Sequence, residues 1–478
     1  MLTEALKRIL GANSVLTDAA DTRAFTEDWR GRYSGPARCV ALPGNTEQVA
    51  AVVKACAEAG SPVLPQGGNT SLCGGAVPDA AAVAPVIISL QRMRKIRSID
   101  PSSNAICVDA GCVLADVQRV ARENDRLYPI SLGAEGSCQV GGTIATNAGG
   151  TGVLRYGNTR DNVLGLEVVL PDGSVWNGLY ALRKNNTGYD LKHLFIGSEG
   201  TLGIVTGAML KLHPLPTARS IAWLGVASPD AALTILSLFS AACDGRLSGF
   251  ELMDENQVSL VVEHIAGRRC PLPNPAGWHV LVELSDTSDT EVLDDAMHMV
   301  LARALKRELI TDAVVASSET QRAAMWEFRH SVSEANKKGG IGLTTDCAVP
   351  VSVVPAFIEK ATQAVRAIVP DIPVVVVAHL GDGNAHFIPF FSFAKWDAIA
   401  DKDSFAGRIR RAVNDVAVAL GGTFSAEHGV GRTLTGEMAR YKPPVEIALM
   451  QAVKQAFDPA NLFNPGRLLP ATSHEPVR

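Results

Sequence analysis

Three stretches of the chain carry side chains able to do chemistry. The first is His379-Leu-Gly-Asp-Gly-Asn-Ala-His386. Val374 to Val377 before it is β-branched and Phe387 to Phe391 after it is apolar, so the segment reads as a hairpin, and Asp382-Gly383 is a pair favoured by a type I′ turn. A turn centred there would set residue 379 opposite 386, with Cβ atoms ~5 Å apart on one face. Two imidazoles so placed can share a divalent metal. The second stretch, Ala426-Glu427-His428-Gly429-Val430-Gly431, adds a carboxylate and another imidazole between small residues. The third, Met325 to Ser333, reads as a helix with Arg329 and Ser333 on one face at i, i+4. A guanidinium can grip a carboxylate with two hydrogen bonds. Each feature alone has an ordinary alternative: histidines bonded to backbone, a solvated glutamate, a surface arginine.

Glycine-rich stretches fill the first half. Pro65-Gln-Gly-Gly-Asn-Thr-Ser-Leu-Cys-Gly-Gly75 follows a short strand. Glycines let backbone N–H groups come close to a phosphate, and Asn69, Thr70 and Ser71 add polar groups. It is not a Walker loop, since no Gly-Lys-Ser/Thr follows, and no G-x-G-x-x-G opens a helix. Leu132 to Gly150 is again dense in glycine, and Phe195 to Thr206 is a third such stretch. So little side chain over so much backbone fits a large, extended, phosphate-bearing ligand.

The elements that must position these groups are mixed α+β. Asn45 to Gly60 reads as a helix capped by Asn45, with Val49, Val52, Val53 and Cys56 as its apolar stripe. Val86 to Leu90 and Ala105 to Asp109 read as strands. Beyond Pro216 the glycine density falls, and strands at 222–226, 279–284 and 374–379 alternate with long helical stretches. The 478 residues are 47% hydrophobic and 19% charged, enough for buried cores and too apolar for a disordered chain. A net charge of −5 argues against a nucleic-acid partner. Nine cysteines without a C-x-x-C pair read as free thiols rather than a disulfide framework or thiolate zinc site. The N-terminus lacks a signal-peptide pattern and no apolar run reaches a bilayer span, so a cytoplasmic protein with no transmembrane segment is expected.

Together these residues resemble the vanillyl-alcohol oxidase / p-cresol methylhydroxylase flavoproteins, most of all the FAD-dependent D-2-hydroxyglutarate and D-lactate dehydrogenases. The resemblance runs from about Pro43 to Leu469 and includes Asn464-Pro465-Gly466. It implies an α+β, two-domain flavoprotein: an FAD-binding domain over 1–217, a substrate (cap) domain of antiparallel sheet plus helices over 218–425, and a C-terminal segment, 426–478, returning to the first domain. It places FAD on Pro65, Gly67, Gly68, Asn69, Thr70, Ser71, Gly74 and Gly75. A second set comprises Gly133, Ser137, Gly141, Gly142, Thr143, Asn147 and Gly149, and a third Gly200, Gly203, Ile204, Val205 and Asn464. The first loop has no His to tether the flavin, so noncovalent FAD is expected. The resemblance further implies a divalent metal, zinc-like, on His379, His386 and Glu427. It implies catalytic roles for His428, Arg329, Ser333 and Asn384.

The implied activity is oxidation of a D-2-hydroxy acid to the 2-oxo acid. The implied partners are that small acid, an electron acceptor (quinone, electron-transfer flavoprotein or oxygen) and, for a homodimer, a second copy. Two positions depart from the hydroxyglutarate enzymes: Thr344 stands where they carry Lys, and Ile388 where they carry Asn. Lys337 and Lys338 are candidate replacements, although such a pair also suits a solvated helix end. The alternatives are a flavin-binding electron-transfer subunit of a glycolate-oxidising complex and a metal-dependent hydrolase.

Overall fold

The computed structural model describes residues 1–243 and 245–470. The described residues form two units: 1–150, 157–215 and 427–470 make the first, and 151–156 with 216–426 make the second.

In the first unit, Cys39–Ala41, Val86–Ser89 and Val63–Gln66 lie parallel in a four-stranded sheet, with Val15–Leu16 antiparallel on the edge. A second, antiparallel sheet runs in the order Ile96–Asp100, Ala105–Asp109, Ile204–Lys211, Val163–Val169, Val175–Gly178. The Thr46–Glu58 helix buries Val49, Val52, Val53 and Cys56 against a core shared with both sheets. Its start is fixed by Asn45, whose side chain accepts the Gln48 N–H at 2.9 Å.

The second unit is an eight-stranded sheet. Its order is Ile310–Val315, Ala218–Val226, Trp278–Asp286, Leu247–Asp254, Val374–His379, Asn384–Phe391, Ile341–Gly342; Cys347–Ala348 also pairs with Asn384–Phe391. Neighbouring strands are antiparallel. Alternation along each strand divides the sheet into two faces. Phe250, Leu252, Val376, Ala378 and Phe387 point into a large core with the Pro229–Cys243, Thr290–Lys306, Val354–Ile368 and Lys402–Ala419 helices. Trp223, Met253, Leu281 and Val377 point the other way, beneath the Glu255–His264, Glu319–His330 and Val332–Gly339 helices. Glu251, His379 and His386 sit at the alternate positions of this second face.

None of the nine cysteines forms a disulfide among the described residues, and all but Cys270 are buried. Among the described residues, no helix is long and apolar enough to cross a membrane.

Candidate functional site

Strand geometry sets the histidines. The hairpin differs from the sequence expectation: His379 pairs with Asn384, and His386 with Val377. Four residues, Leu380 to Gly383, make the connection. The reason is local. A type I′ turn needs positive φ at both central residues, and of Asp382 and Gly383 only Gly383 has it, at 82°. The Asp382 and Gly383 N–H groups instead both donate to the His379 carbonyl, at 3.2 and 3.1 Å, and the Asp382 carboxylate accepts the Asn384 N–H at 3.0 Å. The two imidazoles are therefore diagonal neighbours rather than directly opposed. A shift of two residues preserves the face, so the rings still meet edge-on with centroids 5.7 Å apart.

Beneath them lies Glu251, 1% exposed, in the middle of an apolar strand. One of its oxygens is 2.7 Å from His379 Nδ1. The other accepts from Arg329 Nε at 2.8 Å and pairs with Nη2 at 2.7 Å. Burial pushes this carboxyl up, but His379 and Arg329 outweigh it and hold it down at about 2, so it stays ionised. Asn384, also buried, donates to Asp346 Oδ1 at 3.1 Å and to the Cys347 carbonyl at 3.0 Å. Its Oδ1 is buried with no hydrogen-bond partner among the described residues. Asp346 also accepts the Ala426 N–H at 3.0 Å and lies 3.9 Å from His386 Nδ1. Asp346 and His386 are oxygen and nitrogen donors of the kind a borderline divalent cation takes.

Ser333 stands apart from this group. The expected single helix is interrupted at Ser331, giving Glu319–His330 and Val332–Gly339; Arg329 is buried while Ser333 is exposed. Lys338 pairs with Glu334 at 2.7 Å on an exposed turn. Thr344 is exposed, whereas Ile388 is buried with Val375 and Phe390.

Glu427 and His428 belong to the first unit. Their loop is tied down by Glu199, whose buried carboxylate accepts the Val430 and Gly431 N–H groups, both at 2.7 Å. Burial raises the Glu199 carboxyl, and those two N–H groups partly offset it. Glu199, Asn69, Asn147 and Asn464 are all non-glycine residues at positive φ, from 44° to 53°, in or beside the glycine stretches.

The glycines divide into two groups. At Gly68, Gly141 and Gly203 a Cβ would strike protein: Ser137 O at 2.1 Å, Ala110 Cβ at 2.9 Å and Val168 Cγ1 at 2.7 Å. They let chain approach chain. At Gly133, Gly136 and Gly142 a Cβ would meet nothing within 4 Å. A cavity of about 370 Å3 is lined by Gln66, Gly67, Gly68, Asn69, Gly136, Ser137 and Gln139 among others. Asn69 Oδ1 and Gln139 Oε1 are buried there without hydrogen-bond partners among the described residues. Open glycine backbone beside unsatisfied polar atoms fits a polar, extended cofactor. Other expected FAD residues serve the cradle's own frame. Ser71 accepts the Gly75 N–H at 3.3 Å, Thr143 bonds the Val140 carbonyl at 2.9 Å, Asn147 accepts the Arg160 N–H at 2.9 Å, and Asn464 bonds the Glu199 carbonyl at 2.7 Å. Ile204 and Val205 lie in the core.

Glu251, Asp346, Glu199 and Gln139 are the functional candidates that sequence reasoning missed. A glutamate flanked by Phe250 and Leu252 in a strand of apolar alternation is a signal for the first; the others carry none that spacing reveals.

Residues 37–178 match the family model described as FAD binding domain, and 215–468 match FAD linked oxidases, C-terminal domain. The chain is 35% identical over 97% of its length to a mitochondrial D-2-hydroxyglutarate dehydrogenase of Arabidopsis thaliana, covering 80% of it. It is 34% identical to a D-2-hydroxyglutarate dehydrogenase of Xanthomonas citri pv. viticola, over 97% of this chain and 96% of that one. It is also 34% identical to a putative mitochondrial D-lactate dehydrogenase of Schizosaccharomyces pombe, over 97% and 89%. Among solved structures, p-cresol methylhydroxylase shares the fold with a TM-score of 0.76 at 16% identity, over 99% of this chain and 97% of that one. With a cradle that fits FAD and family models matching both halves, the chain belongs to the FAD-linked oxidases and is a flavin-dependent oxidoreductase.

Proposed function

We propose that the protein oxidises a D-2-hydroxy acid to the 2-oxo acid, with noncovalent FAD and one divalent metal, zinc by its donor set. One observation carries this reading: Arg329, a buried guanidinium, shares the Glu251 carboxylate with His379 on the sheet face that also bears His386. That arrangement sets a guanidinium beside an imidazole pair, groups that a 2-hydroxy acid needs for its adjacent carboxylate and hydroxyl.

Arg329 binds and orients the carboxylate common to all 2-hydroxy acids. His379 and His386, with Glu427 by the family resemblance, hold the metal. Bound there, the metal supplies a Lewis acid that lowers the pKa of the substrate hydroxyl. His428 supplies an imidazole that accepts the hydroxyl proton. Asn384 offers its unsatisfied Oδ1 to the same region. Bound FAD supplies the acceptor for the C2 hydride. The absence of His from the first glycine loop supports a noncovalent flavin.

Ile388, packed with Val375 and Phe390, and the exposed Thr344 present no charge to a second carboxylate. D-lactate and apolar D-2-hydroxy acids should therefore compete well with D-2-hydroxyglutarate. A missing partner for a desolvated carboxylate is worth ~1–3 kcal/mol, roughly tenfold to a hundredfold in kcat/KM. The test is a panel of D-2-hydroxy acids with a dye acceptor, with and without chelator. Turnover of D-2-hydroxy acids that chelation abolishes supports the reading; no turnover of any, or indifference to the chelator, defeats it. Ile388→Asn with Thr344→Lys should move preference toward D-2-hydroxyglutarate.

A further inference from the structure

We propose that Glu251 is a positioning residue that sets the metal-binding nitrogen of His379 while anchoring Arg329, an inference that rests on the function proposed above. Glu251 and His379 are direct cross-strand partners, so the ladder between Leu247–Asp254 and Val374–His379 fixes their approach. An ionised carboxylate only accepts hydrogen bonds. The contact at 2.7 Å therefore puts the imidazole hydrogen on Nδ1 and leaves the lone pair of the neutral ring on Nε2. The second Glu251 oxygen receives the Arg329 fork, so one carboxylate holds a candidate metal ligand and the candidate carboxylate anchor in fixed relation.

Packing alone does not call for this residue. Its chain neighbours Phe250 and Leu252 fill the apolar core on the other face, and a buried charge among them needs strong partners to be tolerated. The adjacent strand provides a contrast on the same face. Glu283 accepts from Trp326 Nε1 at 2.7 Å and from the Ser248 hydroxyl at 2.7 Å, and neither partner is a candidate ligand.

The experiment measures zinc affinity of flavin-loaded protein against a chromophoric competing chelator, beside the thermal melt. Glu251→Gln, nearly isosteric, should keep FAD and weaken zinc binding ~10–100-fold. Glu283→Gln should lower the melting temperature and leave zinc affinity unchanged. If Glu251→Gln yields no folded protein, Glu251→Asp, which keeps the charge but withdraws it by one methylene, should show the same loss of affinity. Wild-type zinc affinity in a folded Glu251 variant, or equal losses in Glu251→Gln and Glu283→Gln, overturns the inference. A wild-type protein that binds no zinc instead defeats the metal part of the proposed function, so the two failures are distinguishable.

Discussion

Gly142 and Glu251 represent two ways of building a site. In the first unit the cradle is made by leaving side chains out: Gly133, Gly136 and Gly142 face open space, while Asn69 Oδ1 and Gln139 Oε1 are buried without hydrogen-bond partners among the described residues. On the sheet face of the second unit the site is made by burying charge: Glu251 and Arg329 neutralise one another inside an apolar frame, and His379 hydrogen-bonds the same carboxylate. The first design tolerates little added volume. The second tolerates little loss of charge, because removing one partner strands another.

The comparison can be broken first at the glycines. Gly142→Val should fold but fail to retain flavin, since the added atoms occupy cofactor space rather than protein space. Gly68→Val should fail to fold well, because its Cβ would lie 2.1 Å from the Ser137 carbonyl. Flavin absorbance and thermal melts of the two variants check this; a holo-like spectrum for Gly142→Val would contradict the cradle.

Arg329→Ala should come next. It leaves Glu251 buried with one partner fewer, costing ~3–5 kcal/mol of stability. It should also lower kcat/KM ~100-fold for D-lactate and D-2-hydroxyglutarate alike, the effect of losing a charged hydrogen-bond donor. Steady-state kinetics decide; a loss confined to one substrate would remove Arg329 from the shared carboxylate.

His386→Ala should lose metal and most turnover while keeping FAD, because the cradle lies wholly in the first unit. Metal analysis and the flavin spectrum of one preparation check it, and stoichiometric metal in the variant refutes the ligand assignment.

The smallest effect sharpens the rule about buried charge. Asp254, unlike Glu251, has no cation among the described residues to offset its burial, and burial pushes its carboxyl from 3.8 up to about 6. The folded state thus holds a proton that the unfolded chain releases. The stability this provides is fully present below pH ~4 and is lost as pH rises through 6. Oδ1 accepts both the Gln257 and Val376 N–H groups, so Asp254→Asn can keep both. The variant should be more stable than wild type above pH 6, by on the order of 1–3 kcal/mol, and equal to it near pH 4. Denaturant unfolding at the two pH values tests this; a pH-independent difference would show that the carboxyl is not raised.

Legibility followed the same division. The helix cap at Asn45, the strands at 86–89 and 105–109 and the glycine stretches could all be read because each depends on a few adjacent residues. The sequence by itself determined the flavin family, the α+β class and the identity of Arg329, His379 and His386 as residues of interest. It did not determine their geometry. The hairpin register turned on one dihedral, positive at Gly383 and not at Asp382, and that moved the partner of His379 from 386 to 384. Ser333 left the Arg329 face because the helix breaks at Ser331. Glu251 joined His379 across 128 residues and Arg329 across 78, separations at which no local pattern survives. Only the tertiary structure could decide which carboxylate they share, because a buried charge is defined by what surrounds it in space.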